Sequence, residues 1–148
     1  MSANQDFKDL FALFNEENVE YLIVGAHAVI YYSEPRYTKD LDIWINPRCE
    51  NAVKVMAALN KFGAPLADVS EKDFTNPEMI YQIGIAPNRI DILMDIAGVD
   101  FDTAAQRKTL SSYDGIEIPI ISKQDLISSK KAIGRPQDKL DVDRLEQD

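Results

Sequence analysis

A chain of 148 residues that is 45% hydrophobic and 28% charged has the make-up of one globular domain with an ordinary core. Its 25 acidic and 16 basic residues leave a net charge of −9, which argues against sequence-blind binding to duplex DNA but leaves room for a local basic patch. One cysteine, Cys49, and one histidine, His27, exclude an internal disulfide, a zinc-cysteine cluster and a multi-histidine metal site within one chain; a metal would be held mainly by oxygen.

The start, MSANQDFKDLFALF, lacks a basic segment followed by an apolar run, and no window approaches the ~20 apolar residues of a membrane span, so a cytoplasmic location without membrane contact is expected. Phe7, Leu10, Phe11 and Phe14 recur at helical spacing before a polar NEEN break, predicting an amphipathic helix. Tyr21 to Val24 reads as a short strand stopped by Gly25, and Ala26 to Tyr32 as a helix ended by Pro35. Lys39 to Ile45 is the next strand, closed by Asn46-Pro47, and Glu50 to Phe62 is a helix ended by Gly63. Ala64 to Pro77 is irregular, with one short helix near Glu71.

Met79 to Ala86 and Arg89 to Ile96 predict a hairpin across Pro87-Asn88. A second strand pair flanks Asp114-Gly115, with Ile116 to Ile121 as its second member. Ser122 starts a helix that runs to Gly134, and Pro136 takes the first position of a last helix. Nothing reads as a linker, so residues 1–148 are expected to form one α/β (α+β) domain: a mixed sheet flanked by helices, with a core near 20–96 and a helical part near 122–148.

The stretch TKDLDIWI places two aspartates one residue apart in a strand that otherwise reads as buried. Residues i and i+2 of a strand share a face about 6.6 Å apart, so Asp40 and Asp42 converge while Leu41 and Ile43 point away. Like charges that close repel unless a cation lies between them, and a divalent, oxygen-seeking ion such as Mg²⁺ meets that need. Asp91 in RIDILMDI is flanked by Ile90 and Ile92 in the same manner, with Asp95 as the fallback of equal parity. Three such carboxylates can hold two Mg²⁺ ions (or Mn²⁺) roughly 3.5–4 Å apart, which would activate an attacking hydroxyl and stabilise the leaving oxygen of a phosphoryl transfer. The plainer reading makes Asp40 and Asp42 the wet face of an edge strand and Asp91 the partner of Arg89 or a lysine.

At VGAHA a strand ends in glycine and a helix begins, which offers backbone N–H groups to an anionic phosphate. The order strand, Gly25-Ala26, helix, Asp-x-Asp on the next strand and a third Asp later resembles the nucleotidyltransferase superfamily of the DNA polymerase β type. More narrowly, YLIVGAHAVIYYSEPRYTKDLDIWI with DLISSKKAIGRPQDKLDVDRL resembles the small bacterial nucleotidyltransferase-like proteins related to abortive-infection and toxin-antitoxin systems; the resemblance spans about Tyr21 to Leu145. It implies that Asp40, Asp42 and Asp91 are catalytic and metal-binding, and that Gly25 and Ala26 line the triphosphate turn. It further implies that Arg36, Thr38 and Lys130 bind nucleotide.

The implied activity is Mg²⁺-dependent transfer of a nucleotidyl group from an NTP, such as ATP, to a hydroxyl of protein, RNA or a small molecule, with release of pyrophosphate. Ala26 stands where the superfamily has Gly or Ser, which removes a hydroxyl and keeps the backbone N–H. That departure also admits an inactive binding or regulatory protein, a component of a toxin-antitoxin pair with a partner protein. Asp138 and Asp141 read as partners of Arg135 or caps of the last helix. His27 reads as a packed residue beside the turn, Trp44 and Cys49 as structure, and Tyr31-Tyr32 as helix core or surface with base stacking as the alternative.

Overall fold

The structure, a computed structural model, describes residues 4–33, 40–85 and 88–147. The first helix, α1 (Gln5–Glu16), starts where the Asn4 side-chain oxygen accepts hydrogen bonds from the backbone N–H groups of Asp6 (2.9 Å) and Phe7 (3.2 Å). Those two donors have no partner inside the helix, which is why a polar side chain sits there. Its stripe of Phe7, Leu10, Phe11 and Phe14 is buried, as the spacing predicted. Each such side chain contributes roughly 1.5–3 kcal/mol of hydrophobic stabilisation.

Strand β1 (Tyr21–Val24) runs directly into α2 (Gly25–Tyr32), and β2 (Leu41–Ile45) precedes α3 (Cys49–Phe62). Gly63 ends α3 in the left-handed region at φ 89°, where its N–H closes on the carbonyls of Leu59 and Asn60. A short 3₁₀ turn, Glu71–Thr75, lies near the predicted position. The hairpin β3 (Ile80–Ile83) and β4 (Ile90–Leu93) is antiparallel, and so is β5 (Thr109–Tyr113) with β6 (Ile116–Ile120). Helices α5 (Lys123–Ile133) and α6 (Pro136–Glu146) follow.

Several features differ from the sequence reading: β2 begins at Leu41, which leaves Asp40 just before the strand, and β3 ends at Ile83. Strand β4 stops at Leu93, because Ile96 turns away to form an isolated bridge with Val99. After it comes α4 (Phe101–Gln106), which the sequence reading did not contain; Asp100 caps it by accepting from Thr103 N–H at 3.2 Å.

The sheet has the order β3-β4-β2-β1-β6-β5, with β1–β2 antiparallel and β2–β4 and β1–β6 parallel. Phe11 and Phe14 pack on Tyr21, and Phe74 packs on Tyr81, so one face is closed by α1 and the segment around the 3₁₀ turn. Leu41, Ile43, Ile90 and Ile92 lie buried on that face. The other face carries the opposite parity: Val24, Asp42, Asp91 and Gln82 pair in register across four strands as one row. This sheet with six helices among the described residues is the mixed α/β architecture expected, and no described helix is long and apolar enough to cross a membrane.

Candidate active site

The site begins at the end of β1. Gly25 takes φ 67°, a conformation that side chains other than glycine's adopt at a cost. A Cβ placed there would stand 2.2 Å from Asp42 Oδ2 and 3.0 Å from its Cβ and Cγ, so the turn needs glycine both for its backbone and for its contact with Asp42. Helix α2 starts behind Val24 with no side-chain cap. Its first-turn N–H groups, those of Gly25 and Ala26 among them, therefore lie beside a carboxylate and are not claimed by a capping side chain, an arrangement suited to a phosphate chelated to a cation.

Asp42 on β2 and Asp91 on β4 are register partners on adjacent parallel strands, and Asp40 lies just before β2. Burial pushes the Asp42 carboxyl up to about 6, and the negative charges of Asp91 and Asp40 add to the effect; Arg89 and Lys130 oppose it. Asp91 is gripped by Arg89 through two hydrogen bonds, Nε to Oδ1 at 2.8 Å and Nη2 to Oδ2 at 3.1 Å. Asp40 Oδ1 accepts from the Arg89 backbone N–H at 3.1 Å, and its Oδ2 lies 3.7 Å from Arg89 Nη2. The donor set fits a hard divalent ion chemically, since it consists of carboxylates with surplus negative charge. As it stands, however, no three histidine, cysteine or carboxylate groups among the described residues are placed to hold a metal together.

A cavity of about 530 Å³ opens beside Asp42, bounded by the Gly25-Ala26 turn, the end of β4 and helices α5 and α6. Lys130 stands on its far wall. The Lys130 side chain, 11% exposed, sits between two fully buried carboxylates, its ammonium 3.1 Å from Asp141 Oδ2 and 3.4 Å from Asp138 Oδ1. Arg135 donates to Asp138 from its backbone N–H (3.1 Å), Nε (2.7 Å) and Nη2 (3.2 Å), and Gln137 Nε2 donates to Asp141 at 2.9 Å. The Arg135 hydrogen bond is the main reason that the Asp138 carboxyl is held down to about 2. Lys130 is thus partner to two carboxylates and also borders the cavity.

His27 sits in the first turn of α2, edge-on to the Phe7 ring at 5.6 Å; burial pushes its pKa down, against hydrogen bonding to the Asp40 backbone and the Asp40 charge. Trp44 shares the aspartates' face by register and is buried against Phe101 of α4 at 4.9 Å. Tyr32 donates its hydroxyl proton toward Ile121 O (2.7 Å) and Thr109 Oγ1 (2.9 Å), whereas Tyr31 is exposed. Cys49 is exposed at the start of α3, and Asp95 borders the cavity. Arg36 and Thr38 lie outside the described residues. The sequence reading passed over Ser129 and Gln137, which line the cavity, and raised Arg89 only as a partner of Asp91; its reach to Asp40 depends on the strand pairing, in which Leu41 N–H donates to Arg89 O at 2.9 Å.

No family model and no curated protein matches the chain. Solved structures do. The lincomycin-bound lincosamide antibiotic adenylyltransferase LnuA is similar with a TM-score of 0.60 at 15% identity, over 97% of this chain and 96% of that one. A putative nucleotidyltransferase from Thermotoga maritima is similar with a TM-score of 0.62 at 15% identity, over 97% and 91%. The fold is that of nucleotidyltransferases. The antibiotic-resistance factor ANT(2'')-Ia shares this nucleotidyltransferase fold with a TM-score of 0.59 at 13% identity, over 96% of this chain and 80% of that one.

Proposed function

We propose that the protein is a divalent-metal-dependent nucleotidyltransferase that moves a nucleotidyl group from an NTP to an acceptor hydroxyl. The observation that carries this reading is the contact of the Gly25 turn with Asp42 in a register row that also holds Asp91. A helix start without a side-chain cap then meets a carboxylate whose pKa is raised by burial and like charge, which suits a metal-chelated triphosphate.

In this reading Asp40 and Asp42 would hold Mg²⁺ or Mn²⁺, and the ion would supply charge stabilisation at the transferring phosphoryl group. Gly25 and Ala26 present N–H groups to the triphosphate, and Lys130 offers positive charge from the opposite wall, joined by Arg36 and Thr38 as nucleotide contacts. Asp91 is the third carboxylate, beside the acceptor. The acceptor oxygen forms a bond to the α-phosphorus while the bond from that phosphorus to the oxygen bridging to the β-phosphate breaks, so pyrophosphate leaves. The hydroxyl proton passes to a carboxylate or to water.

The acceptor is a hydroxyl of protein, RNA or a small molecule, and the likeness of the fold to LnuA favours the last. The lincomycin bound to LnuA is an acceptor-sized molecule of that kind. A second reading is a binding or regulatory protein without turnover, a toxin-antitoxin component. Ala26 in the turn and the Arg89 grip on Asp91 favour it.

Thermal stability of the wild type and Asp42→Asn, measured with each NTP with and without Mg²⁺, separates the two. The enzyme reading expects a shift with one NTP only when Mg²⁺ is present, absent in the variant; ligand at a hundredfold its Kd stabilises by about 2.7 kcal/mol. No shift with any pair would transfer the conclusion to the second reading.

A further inference from the structure

Arg89 is held in place from two sides. Its carbonyl accepts from Leu41 N–H at 2.9 Å as β4 begins, so the ladder between β2 and β4 fixes the backbone from which the guanidinium projects. The guanidinium then engages both oxygens of Asp91, at 2.8 and 3.1 Å, in the fork geometry that makes arginine-carboxylate pairs strong. Its Nη2 stands 3.7 Å from Asp40 Oδ2, and its backbone N–H donates to Asp40 Oδ1. One residue therefore contacts both carboxylates that flank Asp42.

Charge arithmetic points the same way. Among the described residues, Asp40, Asp42 and Asp91 carry three negative charges against Arg89, with Lys130 also acting on Asp42, so the surplus is at most two, which a single divalent ion would neutralise. A second divalent ion seated on Asp91 would first have to break both hydrogen bonds of a pair whose carboxylate is only 12% exposed and which the strand ladder holds in place.

We propose that this site takes one divalent ion, on Asp40 and Asp42, and that the Arg89 guanidinium is the second cation, fixed in the protein and seated on Asp91. The inference rests on the metal-dependent reading above and departs from the two ions that the sequence resemblance implies. Arg89 is then a positioning residue: it keeps Asp91 oriented beside the acceptor and keeps a second ion out.

Electron paramagnetic resonance of Mn²⁺ bound to the intact protein, alone and with inorganic triphosphate, tests this by count and by spin coupling, independently of turnover. The wild type should bind one Mn²⁺ per chain with the spectrum of an isolated ion. Arg89→Gln, which removes the fixed cation, should bind two and give the coupled spectrum of neighbouring ions. Asp91→Asn should still bind one, and decides the matter by itself should Arg89→Gln fail to fold. A coupled pair in the wild type, loss of the ion in Asp91→Asn, or a single ion in a folded Arg89→Gln would each overturn the inference and leave the metal-dependent reading intact. No bound Mn²⁺ in the wild type would remove that reading together with the inference.

Discussion

Two groups of aspartates reach the same cavity, one through Asp141 and the other through Asp42, and among the described residues they are neutralised to different degrees. On the helical wall, Asp138 and Asp141 meet two cations, Lys130 and Arg135. On the sheet, Asp40 and Asp91 meet one among the described residues, Arg89. The consequence is opposite in sign for one side-chain type: Arg135 holds Asp138 down to about 2, while burial and like charge push Asp42 up to about 6. A balanced cluster can fasten two helices together. An unbalanced one lowers the stability of the empty protein and is suited to a ligand that brings positive charge.

The balanced side should break hardest. Lys130→Met removes the cation between two fully buried carboxylates and is expected to cost about 3–5 kcal/mol, read from the urea midpoint. A loss below about 1 kcal/mol, the range of an exposed pair, would show that the wall is not what fastens α5 to α6.

Gly25→Ala probes the contact between the turn and the sheet cluster. A left-handed backbone costs a residue with a Cβ about 1–2 kcal/mol, and displacement of Asp42 from 2.2 Å adds to that. The urea midpoint should fall and any Mg²⁺-nucleotide shift should vanish; an unchanged midpoint would mean that the turn relaxes freely.

The smallest expected effect has the opposite sign. Asp42→Asn should stabilise the ligand-free protein at neutral pH by about 1–2 kcal/mol, because it removes a carboxylate that is poorly accommodated when charged. The folded pKa lies above the unfolded value, so the stability contributed by this group is present below pH ~4 and lost as pH rises through about 6. The advantage of the variant should therefore widen between pH 4 and 6 and stay level above. Asp138 runs the other way: its folded pKa is depressed, so its contribution is present above pH ~4 and lost as pH falls toward about 2. A difference between variant and wild type that is flat from pH 4 to 7 would contradict the account of Asp42.

Much of the fold was legible because strand parity and helix punctuation are local signals. Phe7 to Phe14, Tyr21 to Val24 and the turn at Asp114-Gly115 announced their elements directly. Helix α4 did not, since six residues with two alanines carry little periodicity; Asp100 followed by Thr103 was the capping signal that could have found it. Missing α4 also hid the reason that Trp44 is buried, which is Phe101. The Asp42–Asp91 pairing needed the parallel β2–β4 register, which no local pattern states. The association of Arg135 with Asp138 was legible from spacing within one helix turn, but the complete burial of Asp138 and Asp141 depends on α5 packing against α6.

The order of strands in the sheet has a consequence for timing. The turn at Gly25, the aspartates at 40, 42 and 91, and the wall at 130–141 are far apart along the chain. During synthesis the carboxylate cluster emerges well before α5 and α6, so the sheet cluster can form while the cavity still lacks the wall that bears Lys130. Pairings of such long range form slowly. Because α5 and α6 supply the wall that bears Lys130, the pocket is complete only once those two helices dock on the sheet.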